Sequence, residues 1–463
     1  METLVNTQNI KGTILKRDDA AYEAARRGAV WNGRKPNRFP ALIVKAVDEN
    51  DVVEAVRYAK AHSLKIGVRA GGHSWAGWSV RDDALLLDLS GLREMSLDVA
   101  TGIVSVSPSI KGGAELDPYL EPHGLMFCGG HCPTVGLGGF LLQGGMGWNC
   151  RGWGWAAESI VTLDVVTAAG ELVRADATHH SDLFWAARGS GPGFFGVVTR
   201  FHLQTRLRPK AFTQSSYIFP MDCCDDILRW IHDAQTDIDL RVELVVLSIV
   251  PPLPPELNPT NSPMMVIHAL AFVDTHEEGA AVLMPFERCP VLDRAIVRVF
   301  AQPTSLAEER AEQVRANPEG MRFAVDNAWV TGNASAVVPV LHDAFTTLPT
   351  VQTFTLWFSM SPLRTLPDMA LSLQTEIYLA LYVIWQDEAD DTRCHHWLSE
   401  QMQRIESVSV GQYLGDSDFA TRPAKFVSDA NWQRLQQVRA KHDPTAMFSG
   451  YLGEPGHAPR NKT

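Results

Sequence analysis

The first two hundred residues alternate between apolar runs and glycine-rich turns, which predicts a region of mixed helix and strand. Residues 48–64 carry valines and alanines at helical spacing behind polar starting residues, which predicts an amphipathic helix. A second helix is predicted near residues 113–124. The stretch 158–176 alternates around Ala169 and Gly170, which predicts a β-hairpin. Three other apolar runs predict short strands, at residues 65–70, 83–90 and 102–109.

The pattern changes near residues 207–212, after a predicted helix, glycine turn and strand over 180–206. From there to about residue 400, longer helical patterns alternate with β-rich runs such as 242–250 and 376–385. The tail 411–453 forms a third segment. A chain of 463 residues is too long for one compact core, so we predict two domains.

Composition excludes several classes of protein. The net charge is −12 and no basic block occurs, which argues against a nucleic-acid partner. No apolar stretch reaches the roughly 18 residues of a membrane helix. The printed N-terminus has neither a basic nor an apolar region typical of a secretory signal. Seven irregularly spaced cysteines disfavour a disulfide framework, so we expect a cytoplasmic protein.

Two glycine-dense turns are the main candidates for ligand binding. One ends in Gly71, Gly72 and His73, and the other, residues 129–147, holds eight glycines and Cys132. Glycine lets a backbone approach a ligand closely, and successive N–H groups suit a diphosphate. The stretch GSGPGFFG (189–196) mimics a dinucleotide fingerprint, but it follows a predicted helix and opens a strand, the reverse of the required order. The sequence also lacks the phosphate-binding motif GxxxxGK[ST].

Several stretches resemble one family of flavoproteins. RAGGHSWAG (69–77) and the turn at 129–147 resemble the PCMH-type FAD-binding domain of the vanillyl-alcohol-oxidase superfamily, in particular its berberine-bridge-enzyme-like oxidases. Residues 181–199 and 432–448 resemble later segments of that family. The resemblance implies an α+β fold with an FAD domain over 36–207. It also implies an inserted substrate domain over 208–405, an antiparallel sheet backed by helices, and a C-terminal segment, 406–463, that returns to the FAD domain.

The resemblance implies FAD attached covalently through His73 and Cys132. A neutral imidazole and a thiolate are both nucleophiles able to add to an electron-poor flavin. Cys128 is the rival thiol. A zinc site from His123, Cys128, His131 and Cys132 is disfavoured by its spacing, and no metal is expected. The further cofactor-binding residues that we expect are Arg69, Ala70, Gly71, Gly72, Ser74, Gly130, Thr134, Val135, Gly136, Gly138, Gly139, Gly144, Gly145, Gly147, Trp148, Gly196, Val197 and Asn431.

The catalytic base is less well defined by the resemblance. The family motif Tyr-x-Asn-Tyr-x-Asp corresponds here to YLGDSD (413–418), in which Gly415 and Asp416 replace the asparagine and the second tyrosine. Tyr413 is either an active-site residue or a structural tyrosine at a domain junction, and Asp416 is a candidate carboxylate.

The predicted strand at 376–385 is a second source of catalytic groups. Its period of two places Glu376, Tyr378, Ala380 and Tyr382 on one face. This face is either the floor of a substrate groove, with Glu376 and Tyr378 as candidate catalytic residues, or the solvent side of an amphipathic strand.

The resemblance favours an oxidase that removes a hydride from an alcohol or amine carbon of a small metabolite or sugar. The hydride passes to flavin N5, and dioxygen reoxidises the flavin to give hydrogen peroxide. Two alternatives remain at this point: a dehydrogenase with another electron acceptor, and a flavin-binding protein without turnover. The sequence indicates neither the substrate nor the oligomeric state.

Overall fold

The structure, a computed structural model, describes residues 9–419 and 421–452. Its strands are Thr13–Lys16 (β1), Leu42–Lys45 (β2), Ile66–Arg69 (β3), Leu85–Asp88 (β4), Met95–Asp98 (β5), Ile103–Val106 (β6), Leu125–Met126 (β7), Ile160–Thr167 (β8), Leu172–Ala175 (β9), Gly196–Gln204 (β10), Arg206–Leu207 (β11), Ala211–Phe219 (β12), Val242–Ile249 (β13), Met264–Val273 (β14), Val297–Thr304 (β15), Arg322–Val330 (β16), Phe354–Ser359 (β17), Ile377–Trp385 (β18) and Ser409–Gly411 (β19). Its α-helices are Tyr22–Gly28 (α1), Glu49–Ala61 (α2), Asp117–Leu120 (α3), Leu137–Leu142 (α4), Cys150–Trp153 (α5), Ser181–Ala186 (α6), Cys224–Ala234 (α7), His276–Leu283 (α8), Leu306–Ala316 (α9), Ala334–Thr346 (α10), Asp391–Ile405 (α11) and Asp429–His442 (α12).

The N-terminal region contains two sheets that share one hydrophobic core. The first has the order β1-β2-β4-β3, with parallel pairing of β2 and β3 to β4. The second is antiparallel, in the order β5-β6-β10-β8-β9. Helix α2 begins at Asp48, whose carboxylate accepts the N–H of Asp51, and it buries Val52, Val56 and Ala59 as predicted.

Most local predictions in this region are confirmed. Strands β3, β4 and β6 lie within the predicted runs, and β8 and β9 form the predicted hairpin. The predicted helix at 113–124 is present as three consecutive helical pieces, a π-helical turn at Gly112–Leu116, α3, and a 3₁₀ turn at Glu121–His123. Pro118 and Pro122 each lack the N–H that a continuous α-helix would use, which explains the interruption.

The middle of the chain forms one eight-stranded antiparallel sheet in the order β15-β12-β14-β13-β17-β18-β16-β19. Helices α7, α8, α10 and α11 cover one face, where alternate residues such as Leu244, Ile267 and Leu379 are fully buried. The opposite face carries aromatic residues and turns toward the N-terminal region. The sheet begins directly after the pattern change at 207–212 and confirms the predicted antiparallel layer backed by helices.

The C-terminal segment returns to the first sheet. After α12, the N–H of Ile66 in β3 donates to the carbonyl of Met447 at 2.9 Å, and the N–H of Ser449 donates to the carbonyl of Ile66 at 2.8 Å. The chain end therefore adds a bridge beside β3, as the predicted discontinuous FAD domain requires. Residues 453–463 of the predicted segment lie outside the described residues. In the described part of the chain, no helix has the length and apolar character to cross a bilayer.

Candidate cofactor and active site

An elongated cavity of about 410 Å³ runs between the N-terminal region and the open face of the eight-stranded sheet. The two glycine-dense turns, residues 69–74 and 130–139, form one wall. Side chains of β13, β14, β17 and β18 form the opposite wall, and the loops at 413–416 and 448–450 close the space between them. Three parts of the chain that are distant in sequence thus share this cavity.

The two glycine turns touch each other through their backbones. A Cβ atom added to Gly71 would lie 2.7 Å from the amide nitrogen of Gly136, and one added to Gly138 would lie 2.8 Å from Cβ of Ala70. Gly139, by contrast, lines the cavity, and a Cβ atom there would meet no heavy atom within 4 Å. Glycine therefore serves both to join the turns and to leave an open backbone groove, which fits the nucleotide arm of FAD.

His73 and Cys132 are brought together by Thr134. The Thr134 hydroxyl lies 3.0 Å from Nε2 of His73 and 3.5 Å from Sγ of Cys132. The His73 ring stacks on Trp31, with a centroid distance of 4.8 Å and an interplanar angle of 20°. The side chains that the sequence placed at two separate turns thus lie in one wall of the cavity.

The protonation state of His73 suits a nucleophile. Desolvation in the cavity wall, with the positive charges of Lys111 and Arg69, lowers the pKa of His73 to about 3. The imidazole is consequently neutral at physiological pH and keeps a free electron pair on one ring nitrogen.

Cys132 is the cysteine that reaches the cavity. The rival thiol of Cys128 is buried elsewhere, lies 3.6 Å from a guanidinium nitrogen of Arg206, and has its pKa raised by burial. Across the part of the chain that the structure describes, no three of His123, Cys128, His131 and Cys132 bring their ligand atoms close enough together to hold one metal ion. In the described residues, the group of possible metal ligands that does come together is Cys224, Asp225 and His342, outside this cavity.

Asp416 is a carboxylate of the cavity wall. Its Oδ1 accepts the indole N–H of Trp75 at 2.9 Å, and its Oδ2 accepts the hydroxyl of Tyr378 at 2.7 Å. Tyr382 and Tyr413 line the same part of the cavity. The position where the family motif has a second tyrosine therefore holds a carboxylate that is hydrogen-bonded to a tyrosine from β18.

The three tyrosines remain protonated at neutral pH. Burial and the negative charge of Asp416 raise the pKa values of Tyr378 and Tyr382 well above the usual range. Burial also raises the pKa of Tyr413, whose hydroxyl oxygen accepts the N–H of Met146 at 3.2 Å. These phenols are therefore hydrogen-bond donors rather than phenolates at neutral pH.

Glu376 does not belong to this group. It precedes β18, its side chain is exposed, and its nearest polar contact is the Ser361 hydroxyl at 3.4 Å. The period of two holds only inside a strand, and here the regular strand begins at Ile377. Tyr378 and Tyr382 do share the predicted face, and that face lines the cavity instead of meeting bulk solvent.

Most of the expected cofactor residues line the cavity. These are Arg69, Ala70, Gly71, Gly72, His73, Ser74, Gly130, Cys132, Val135, Gly136, Gly138, Gly139, Trp148 and Gly196. Arg69 also pairs with Asp88 at 3.0 Å, an ion pair that joins β3 to β4.

Several expected cofactor residues serve the surrounding packing instead. Val197 points to the other face of β10, so its neighbour Val198 lines the cavity. The Asn431 amide donates to the carbonyls of Met369 and Ala370 and holds that loop. Three glycines belong to turns packed away from the cavity, where added Cβ atoms would strike Leu371, Ala156 or the Cys128 carbonyl; they are Gly144, Gly145 and Gly147.

Some residues at this site were not expected from the sequence. Trp31 lies outside every motif, yet it stacks on His73. Two histidine–carboxylate pairs line the cavity, His131 with Glu243 at 2.9 Å and His268 with Glu309 at 3.2 Å, and of these four residues the sequence had singled out His131 alone, as a disfavoured zinc ligand. Their partners come from distant elements, so only the folded sheet reveals them.

Comparison with known proteins gives consistent matches along the chain. A family model described as an FAD binding domain matches residues 40–176. The chain is 36% identical over 444 residues to the FAD-linked oxidoreductase ptmO of Penicillium ochrochloron, covering 95% of this chain and 96% of that protein.

Solved structures share the fold. The 6-hydroxy-D-nicotine oxidase of Arthrobacter nicotinovorans superposes with a TM-score of 0.82 at 21% identity, covering 98% of this chain and 99% of that chain. BBE-like 1 of Physcomitrella patens superposes with a TM-score of 0.81 at 18% identity, covering 96% of this chain and 98% of that chain. At these identities the two structures establish a common architecture.

Proposed function

Because this chain belongs to the FAD-linked oxidoreductases of the berberine-bridge-enzyme-like family, we propose that it is an oxidase with FAD attached to both His73 and Cys132. It oxidises the carbon that carries the alcohol or amine group of a small molecule, and dioxygen takes the electrons to give hydrogen peroxide.

The observation that carries this proposal is the contact of both nucleophiles with one hydroxyl. Thr134 lies 3.0 Å from Nε2 of His73 and 3.5 Å from Sγ of Cys132, so one flavin ring at this wall can be reached by both side chains. The neutral state of His73 supports its role as a nucleophile. The open groove at Gly139 supplies space for the nucleotide arm.

The side chains of this protein provide the route for the proton. A bound flavin supplies the acceptor for the hydride of the substrate carbon. The oxygen of Tyr378 receives the proton of the substrate hydroxyl or amine as its own proton moves to Asp416 across their 2.7 Å hydrogen bond. Trp75 keeps the carboxylate oriented through its indole N–H. The proton of the substrate thus ends on Asp416.

Mass spectrometry of the denatured protein tests the double attachment. We expect the intact mass to carry one FAD, and tryptic peptides that contain His73 and Cys132 to be linked through it. C132A should retain FAD through His73 alone, and C128A is the matched control that should keep both links. Complete release of FAD on denaturation of the wild type would overturn the attachment.

A peroxide assay under air tests the oxidase reaction. We expect some members of a panel of alcohols and amines to bleach the flavin anaerobically and to yield one hydrogen peroxide per turnover when air is admitted. Bleaching without reoxidation by air would identify a dehydrogenase with another acceptor. Failure of the whole panel to bleach the flavin would contradict the proposed substrate class.

A further inference from the structure

A row of four side chains crosses the eight-stranded sheet on the side that faces the cavity. His268 of β14 pairs with Val245 of β13. Val245 also pairs with Phe358 of β17, which pairs in turn with Tyr378 of β18. Directly paired residues project from the same face, and all four line the cavity. Because neighbouring strands lie roughly 4.8 Å apart, the row spans about 14 Å.

The two ends of this row are polar and its middle is apolar. Tyr378 at one end is hydrogen-bonded to Asp416, the proposed proton acceptor. His268 at the other end is paired with Glu309. Between them the wall consists of apolar side chains, namely Val245, Leu247, Ile249, Leu356 and Phe358. A sugar, with hydroxyls along its whole length, would leave most of these groups unpaired over such a surface.

The far pair is held rigidly in place. Nε2 of His268 lies 3.2 Å from one oxygen of Glu309, and the other oxygen accepts the Thr304 hydroxyl at 2.9 Å. Glu309 lies on α9, where the adjacent Arg310 pairs with the buried Asp117 at 2.8 Å. This buried pair fixes α9 to the N-terminal region, so Glu309 keeps its position over the sheet.

One ring nitrogen of His268 is available to a ligand. Nε2 faces Glu309, and within residues 9–419 and 421–452 Nδ1 has no hydrogen-bond partner. Burial lowers the pKa of His268, but the hydrogen bond to Glu309 together with the negative charges of Glu309 and its neighbouring glutamates outweighs burial and raises it. Because a hydroxyl can both donate and accept, Nδ1 can form a hydrogen bond with a ligand hydroxyl.

The hydrogen-bonding groups of the neighbouring pair, His131 and Glu243, are used in contacts within the protein. One oxygen of Glu243 bonds His131 at 2.9 Å, and the other accepts the N–H of Asn149 at 2.6 Å. His131 also packs on Trp148, with ring centroids 4.3 Å apart. These contacts tie the sheet to the glycine turns, whereas His268 keeps Nδ1 available for a ligand.

We propose that His268, held in place by Glu309, binds a hydroxyl group of an elongated, otherwise apolar substrate, at the opposite end of the cavity from the carbon that is oxidised. The hydroxyl forms a hydrogen bond with Nδ1 of His268, the ring nitrogen that does not face Glu309. A substrate without this group leaves Nδ1 of His268 desolvated and without a hydrogen bond. The assignment of the reacting end rests on the function proposed above.

Binding to the holoenzyme tests the anchor without requiring turnover. The probes are benzyl alcohols with a straight para-alkyl spacer of increasing length, each made with a terminal hydroxyl and with a terminal methyl group. We expect calorimetry to show about tenfold tighter binding of the hydroxyl-ended member at one spacer length. In H268L this preference should fall to about one, since the hydrogen-bonding partner of the terminal hydroxyl is removed.

His202 provides a matched control. It also pairs with a carboxylate, Asp164, at 3.3 Å, but it lies on β10 outside the cavity, so H202L should keep the tenfold preference. Three results would overturn the proposed binding of the terminal hydroxyl by His268. They are equal affinities for both probe series in the wild type, absence of any binding, and a preference that survives in H268L. Anaerobic bleaching of the flavin by the same probes tests the proposed oxidase reaction separately. Binding with the hydroxyl preference but without bleaching would contradict the proposed reaction and would still support the binding of the hydroxyl by His268.

Discussion

Replacement of Asp416 by asparagine tests the proposed route of the proton. The amide oxygen can still accept the Trp75 indole N–H, so the fold should lose no more than about 1 kcal/mol. An amide cannot accept a proton from Tyr378, however, and the raised pKa of Tyr378 prevents that phenol from keeping the negative charge alone. The rate of flavin reduction should therefore fall, while the content of flavin stays the same.

The size of the effect follows from the role of a general base. Such groups contribute about 10²–10⁴ in rate, which corresponds to about 3–5 kcal/mol of activation free energy. Because Tyr378 has no second carboxylate partner in the described residues, we expect D416N near the middle of this range, about 10³. Stopped-flow absorbance under anaerobic conditions, with a substrate that bleaches the wild type, measures the rate directly.

Asp368 offers a matched control for this substitution. Its carboxylate accepts the indole N–H of Trp185 at 2.9 Å, the same contact that Asp416 makes with Trp75, but it lies away from the cavity. D368N should reduce the flavin at the wild-type rate, and Y378F should be slowed like D416N. If D416N reduced its flavin within about threefold of the wild type, Asp416 would not be the proton acceptor.

Two further predictions concern the architecture of the flavin domain. G71A places a Cβ atom 2.7 Å from the amide of Gly136, so it should destabilise the protein by about 1–3 kcal/mol in urea unfolding. G139A meets no atom within 4 Å and lies inside α4, where alanine favours the helix, so it should not lower stability. Equal losses in the two variants would contradict the close contact of the turns. Desolvation raises the pKa of Asp182, but the hydrogen bonds from Lys441 and His442 outweigh it and lower that pKa to about 2. The interaction of Asp182 with these two residues therefore stabilises the folded state fully above pH 4, and this contribution is lost as the pH falls toward 2. D182N should accordingly lower stability by about 1–2 kcal/mol at pH 7 and by progressively less below pH 4, as followed by thermal unfolding across that range; a loss independent of pH would refute the ionic role.

The local elements of this fold follow from the sequence because each depends on near neighbours. Helix α2 has its cap and its buried valines within one short stretch, and β8 and β9 surround their own turn. The glycine turns were recognisable for the same reason, and with them His73 and Cys132. Where local rules compete, as in the stretch around Pro118 and Pro122, the predicted helix forms but changes its hydrogen-bond pattern along its length.

Tertiary structure decided which of the candidate side chains meet. The hydrogen bond between Tyr378 and Asp416 joins β18 to a loop that only the return of the C-terminal segment brings near. The start of β18 at Ile377 excludes Glu376 from the cavity, and strand alternation selects Val198 over Val197. A change of one residue at a strand end reverses the direction of a side chain, and a motif alone does not specify that register.

The sequence by itself therefore determined the fold family, the two attachment candidates and the approximate place of the cofactor. The sequence did not predict the pair of His268 and Glu309 in the wall of the cavity. These two residues come together only because of the order of strands in the sheet and the position of α9. Backbone turns that hold a cofactor are encoded by residues close together in the chain. The contacts that select a substrate join elements from distant parts of it, and they exist only once those elements have packed.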